Sequence, residues 1–174
     1  MPPLRPVRNT CLNHARDPAR AHEFGRVYRI THEGRPLMPH VKVDGEPIAR
    51  LLDLLKERTN ITRYRARIGL SERDTPAVMG ELAKWIKQWD PQNPDHAHHL
   101  LEALWLHQQH NRMDRPLRER LLRAEDARVR AAATRVLRYM RHQVSEPLAL
   151  LGTQAADENP RVRLEAVVAA SFFD

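Results

Sequence analysis

At 174 residues the chain is long enough for one well-buried domain, or for a repeat array with a small appendage. Its single cysteine, Cys11, excludes an internal disulfide framework and a cysteine-based structural zinc site, so thiol usage says nothing of the redox compartment. The formal net charge of +7 suits an acidic partner, but the basic side chains are 25 arginines against four lysines, a bias that genome composition alone produces.

In chain order, residues 1–46 read as an irregular segment. Phe24 to Thr31 has the pattern of a short strand, Gly34, Arg35 and Pro36 make a turn, and Val41 to Val43 is a second extended piece. Two short strands cannot bury a core alone. The opening Met1-Pro-Pro-Leu-Arg5 lacks an apolar signal core, and no run of about eighteen apolar residues follows, so the sequence as given is expected to have neither signal peptide nor membrane span.

From residue 47 onward the apolar residues adopt helical spacing. The pattern predicts helices over 47–57, 61–71, 75–89, 95–110, 115–123, 126–141, 146–156 and 160–173. Pro47, Pro76, Pro116, Pro147 and Pro160 sit at helix starts, where a missing N–H is harmless, and Thr75, Asp114 and Ser145 are the expected caps. The helix after Asp126 shows its two faces clearly. Val129, Ala132, Ala133, Val136, Leu137 and Met140 form one stripe, and Arg128, Arg130, Arg135, Arg138 and Arg141 cover the other arc.

Asp126-Ala-Arg-Val-Arg130 and Asn159-Pro-Arg-Val-Arg163 superimpose at a spacing of 33 residues, with a weaker copy at Arg63-Tyr-Arg-Ala66. The intermediate copy, Pro94 to Trp105, keeps the apolar spacing without the arginines. Each repeat is a helical hairpin. The expected fold is all-α: a right-handed α-α superhelix of about four HEAT-type (armadillo-like) hairpins over 47–174, with a short extended segment near 24–31. The last helix is apolar on nearly every side, from Val162 to Phe173, so the array is expected to be truncated at its C-terminus or to self-associate through its uncapped last hairpin.

Catalytic motifs are missing from the sequence. There is no glycine-rich phosphate loop, no nucleophile elbow, no paired-histidine zinc motif and no haem-attachment motif, and six glycines leave little for a cofactor cradle. No cofactor or metal is expected. One cluster bears weighing: His99, Glu102 and His110 share a helix flank, His107 and His110 stand three apart, and Asn111 follows. It reads either as a metal or acid/base site or as polar contacts from an inner helix to a neighbouring loop. Arg128, Arg130, Arg161 and Arg163 likewise either line a groove that grips anions or bridge to Asp126, Glu158 or Glu165 of the repeats. Trp85, Trp89 and Trp105 lie on apolar stripes and are assigned to the core.

Several motifs together resemble one family. They are Ala15-Arg-Asp-Pro18, the stretch from His22 to Ile30, Arg63-Tyr-Arg-Ala-Arg67, His98-His-Leu-Leu-Glu-Ala-Leu-Trp105 with His107-Gln-Gln-His-Asn111, Arg130 to Leu137, and Ala155 to Ala166. Over roughly residues 13–174 the chain is similar to the C-terminal part of planctomycete-type membrane-bound dehydrogenases. In that family a glucose/sorbosone-dehydrogenase-like propeller precedes HEAT repeats and often a c-type haem domain. The resemblance implies a fragment of a periplasmic or secreted oxidoreductase, with Gly25 to Thr31 as the last propeller strand and the redox chemistry outside this chain. Arg20-Ala-His-Glu-Phe-Gly25 departs from the family's Arg-Asp-His-x-His-Gly run, so any propeller-edge role for those side chains does not carry over.

The sequence thus points to a non-catalytic protein-interaction scaffold that docks a propeller or another subunit on the face built by each hairpin's second helix. A contribution to a redox enzyme is the alternative. Nucleic-acid binding is the least favoured.

Overall fold

A computed structural model of the chain describes residues 33, 34, 36, 37, 39–90, 93 and 96–173. The strand expected near 24–31, Cys11 and the family motifs before residue 31 lie outside the described residues. The chain divides into a unit of residues 1–40 and a unit of residues 41–174, and everything that follows concerns the second.

That unit is all-helical. Its helices are α1 (Ile48–Leu54), α2 (Asn60–Ser71), α3 (Thr75–Ile86), α4 (Ala97–Gln109), α5 (Arg115–Leu121), α6 (Ala127–Tyr139), α7 (Pro147–Ala155) and α8 (Pro160–Ala170), with a 3₁₀ turn at Arg141–Gln143. These are the eight expected segments, shortened mostly at their C-terminal ends. Val41 to Val43 forms no strand. Both valines instead pack against the helical core, where their apolar surface gains more than two isolated strands would provide.

Consecutive helices pair as α1 with α2, α3 with α4, α5 with α6 and α7 with α8. The second helices also stack on one another in the order α2, α4, α6, α8, most extensively between α6 and α8. One leucine-rich core runs through the stack, including Leu51, Leu70, Leu82, Leu104, Leu121 and Leu137, each no more than 1% exposed. Each side chain of that kind contributes about 2 kcal/mol by burial.

Helix starts follow cap chemistry with two corrections. Asp114 accepts from the Leu117 amide at 2.9 Å, as expected. The cap of α3 is Asp74, not Thr75: its longer carboxylate reaches the Ala77 amide at 3.3 Å, placing Thr75 inside the helix. Ser145 does not cap α7. The residue before that helix is Glu146, with φ of +52° and no side-chain cap bond. Pro47 stands at the N-cap of α1, whereas Pro147 and Pro160 open their helices.

Candidate functional site

The repeated arginines are explained by the turn inside each hairpin. The fourth residue after the N-cap of a second helix is Arg63 in α2, Arg130 in α6 and Arg163 in α8. In each, Nη1 turns back to donate to the two carbonyls just before the N-cap. Arg63 reaches Glu57 O at 2.6 Å and Arg58 O at 2.9 Å. Arg130 reaches Ala124 O at 2.9 Å and Glu125 O at 2.8 Å, and Arg163 reaches Asp157 O at 3.0 Å and Glu158 O at 2.8 Å. A planar guanidinium can satisfy two turn carbonyls and still present its other edge to an acid. Arg130 does so, with Nε and Nη2 on Asp157 of the next hairpin at 2.8 and 2.9 Å. Hydrogen bonding from Arg130 holds the Asp157 carboxyl below the usual range. In α4 the corresponding residue is Leu100, and the longer turn before it is held through His96 Nδ1, which accepts from the Asp90 amide at 3.1 Å.

The remaining arginines of the expected site are also engaged. Arg128 pairs with Asp126 of its own cap, Nη2 to Oδ2 at 2.8 Å, and Arg161 lies 3.4 Å from Glu165 on its own helix.

The histidine cluster does not converge. His99 packs on the Trp89 ring, centroids 4.3 Å apart, and burial followed by the neighbouring His98 and His96 lowers its pKa. His107 Nδ1 lies 2.9 Å from Arg112 O, and burial pushes its pKa down against the opposing pull of Asp114. His110 Nδ1 meets the Thr75 hydroxyl at 3.0 Å. Asn111 takes the left-handed conformation that ends α4, φ +52°, a position asparagine tolerates, and its carbonyl and side-chain oxygens accept from Gln143 Nε2. These contacts go to loop segments and to the first residue of α3. Among the described residues no group of three or more His, Cys, Asp or Glu side chains could hold a metal ion.

Glu102 faces a different neighbour, α2. Its side chain is wholly buried between Arg67, whose Nε is 3.0 Å from Oε2, and Arg63, whose Nε is 3.4 Å from Oε1. His98 Nε2 is also 3.4 Å from Oε1. Burial pushes the Glu102 carboxyl up, and the two guanidiniums pull it back only in part. The equivalent link between α6 and α8 is looser: Arg135 grips Glu165 with Nε at 3.0 Å from Oε2 and Nη2 on Oε1, while half of the Arg135 side chain is in solvent.

Between these two links lies a groove of about 440 Å³ across α2, α4 and α6. Tyr64, Trp105 and Tyr139 form its aromatic walls, Arg67 and Arg135 flank them, and Gln108 and Gln109 add amides. Arg67 stacks 5.6 Å from the Trp105 ring centroid. Tyr64 and Tyr139 are 53% and 47% exposed, more than packing requires of an aromatic ring. The assignment of Trp105 to the core is half of the story: it packs against the core with one side and lines the groove with the other. None of the groove residues was singled out as a site by motif. The available signal was Tyr64 and Tyr139 standing on the otherwise polar arc of their helices.

No described helix is long and apolar enough to cross a membrane. A family model described as HEAT repeats matches residues 115–174, the segment from α5 to α8. No curated protein and no solved structure matches the chain. The hairpins stacked through their second helices, the arginine clasps and this match together make the chain an all-helical repeat protein with a HEAT-repeat region.

Proposed function

We infer that the protein is a non-catalytic scaffold that binds a partner protein through the groove on its second-helix face. The observation that carries this reading is the groove between α2, α4 and α6, where Tyr64, Trp105 and Tyr139 present aromatic surface that the core does not use. Exposed aromatics gathered in a concavity are the side chains from which binding hot spots are built. The acid/base alternative lacks a matching constellation, because His99, Glu102, His107 and His110 each satisfy a different neighbour.

Selection of peptides from a random display library tests the reading. Selected binders are expected to lose affinity on Tyr64→Ala and Tyr139→Ala and to keep it on Arg120→Ala and Arg123→Ala, around the end of a first helix. Binders indifferent to the groove variants would overturn the reading. The dehydrogenase parentage and the docking of a propeller belong to the same proposal, resting on the sequence motifs. Flanking DNA with an upstream propeller reading frame supports them, and its absence removes them.

A further inference from the structure

The charge of this molecule is concentrated on one set of helices. The second helices α2, α4, α6 and α8 contain nine arginines, no lysine and only two acids, Glu102 and Glu165. Both acids are buried as interhelical links. Among the first helices α1 and α3 each hold one acid and one base, α7 holds neither, and α5 holds three arginines and one acid, Glu119.

Around the groove the arrangement is specific. Glu102 is shared by two arginines, Arg63 and Arg67, and Glu165 by two, Arg135 and Arg161. Each cluster therefore keeps one positive charge beyond neutrality, one on either flank of the aromatic walls. Arg135 donates Nε and Nη2 to the buried Glu165 carboxylate, and Arg67 donates Nη2 to Glu102 with Nε in ion-pair contact at 3.0 Å. Their Nη1 groups remain for a ligand, on guanidiniums already fixed in place, so little rotamer entropy is lost on binding.

We propose that the ligand of this groove is an acidic linear peptide segment carrying an aromatic or aliphatic anchor. The anchor seats between Tyr64, Trp105 and Tyr139, and carboxylates on either side meet Arg67 and Arg135. The amides of Gln108 and Gln109 match a peptide backbone. Nucleic acid fits less well. A phosphate backbone needs a run of available cations, and three arginines beyond the groove, Arg128, Arg130 and Arg163, are committed to Asp126, Asp157 and turn carbonyls. This proposal rests on the scaffold reading above and adds the class of ligand.

The test uses the full chain and fluorescein-labelled degenerate peptide pools of equal length. All pools share the same aromatic and aliphatic positions and differ in whether the remaining positions are Asp/Glu, Gln/Ser or Lys/Arg. A labelled single-stranded oligonucleotide is the further probe. The acidic pool is expected to bind at least about tenfold tighter than the neutral pool, to weaken as salt rises from about 50 to 200 mM, and to lose about tenfold on Arg135→Gln and on Tyr139→Ala. Arg135→Gln leaves Arg161 on Glu165, and an unchanged far-UV circular dichroism spectrum shows that it still folds. Equal binding of neutral and acidic pools, lost on Tyr139→Ala, overturns the acidic ligand and leaves the groove reading intact. Binding of the oligonucleotide alone overturns both. Failure of every probe overturns the proposal, and the display selection then decides the groove reading separately.

Discussion

The first two hairpins, α1 to α4, and the last two, α5 to α8, build the same architecture with different chemistry. In the last two, the link from α6 to the next hairpin runs through Arg130, which recurs in sequence as Arg163, and Asp157, with Arg135 and Glu165 beside it. In the first two, the link from α2 to α4 runs through one wholly buried Glu102 held by two arginines, and the turn is filled by Trp85, Trp89, His96 and His99. The family match covers the last two hairpins alone. A recurrent pattern needs recurrent side chains, whereas packing needs only that apolar stripes meet; the first two hairpins keep the stripes and improvise the polar links.

Removing one carboxylate from each half separates the two designs. Glu102→Ala empties the buried site between two arginines that are 16% and 27% exposed and is expected to cost about 3 kcal/mol in urea unfolding. Glu165→Ala releases Arg135 and Arg161 into solvent and is expected to cost about 1 kcal/mol. Equal losses would erase the distinction between the halves. Replacing the clasp by Arg130→Lys keeps the charge but cannot serve Asp157 and two turn carbonyls together, and a loss of about 2 kcal/mol is expected.

Acid separates the halves by pH window. The Arg130 bond lowers Asp157 and the Arg135 bond lowers Glu165, so their stabilisation is complete above the unfolded carboxylate pKa values, 3.8 and 4.5, and is lost as pH falls through the lowered folded values. In the first two hairpins burial lowers His98, His99 and His107 of α4, so the stabilisation from their neutral forms is complete above 6.5 and is lost as pH falls through their lowered folded values. Burial raises Glu102, and its protonation offsets part of that loss between its raised value and 4.5. All three tryptophans, Trp85, Trp89 and Trp105, lie in the first two hairpins. On acidification tryptophan fluorescence is therefore expected to change before the last of the helical circular dichroism is lost. Coincident transitions would mean that the hairpins unfold as one unit. The smallest effect concerns backbone strain: Asn111 and Glu146 both have φ of +52°, and only glutamate lacks a local preference for it. Glu146→Gly is expected to raise stability by about 0.5 kcal/mol and Asn111→Gly to change it less, read from shifts in the urea midpoint.

Much of the fold was legible before any coordinates. The apolar spacing of Val129, Ala133, Val136 and Leu137 named a helix face, and proline and aspartate placed the helix starts to within a few residues. Cap identity was harder. Thr75 and Asp74 are both good caps, and only the backbone geometry chose between them. The site was less legible still. His99, Glu102 and His110 share a flank on a helical wheel, yet Glu102 turned to α2, His110 to Thr75 and His99 to Trp89, because the partners that captured them lie 35, 35 and 10 residues away in sequence.

By itself the sequence determined that paired helices would stack, since helical stripes of leucine, valine and alanine leave water only by packing face to face, and it determined that arginine would recur at the hairpin turns. Tertiary structure alone decided which arginines are consumed by buried carboxylates and which keep a free edge, and that Tyr64, Trp105 and Tyr139 meet across three helices. Those outcomes depend on distances between residues far apart in the chain, and a one-dimensional period carries no information about them.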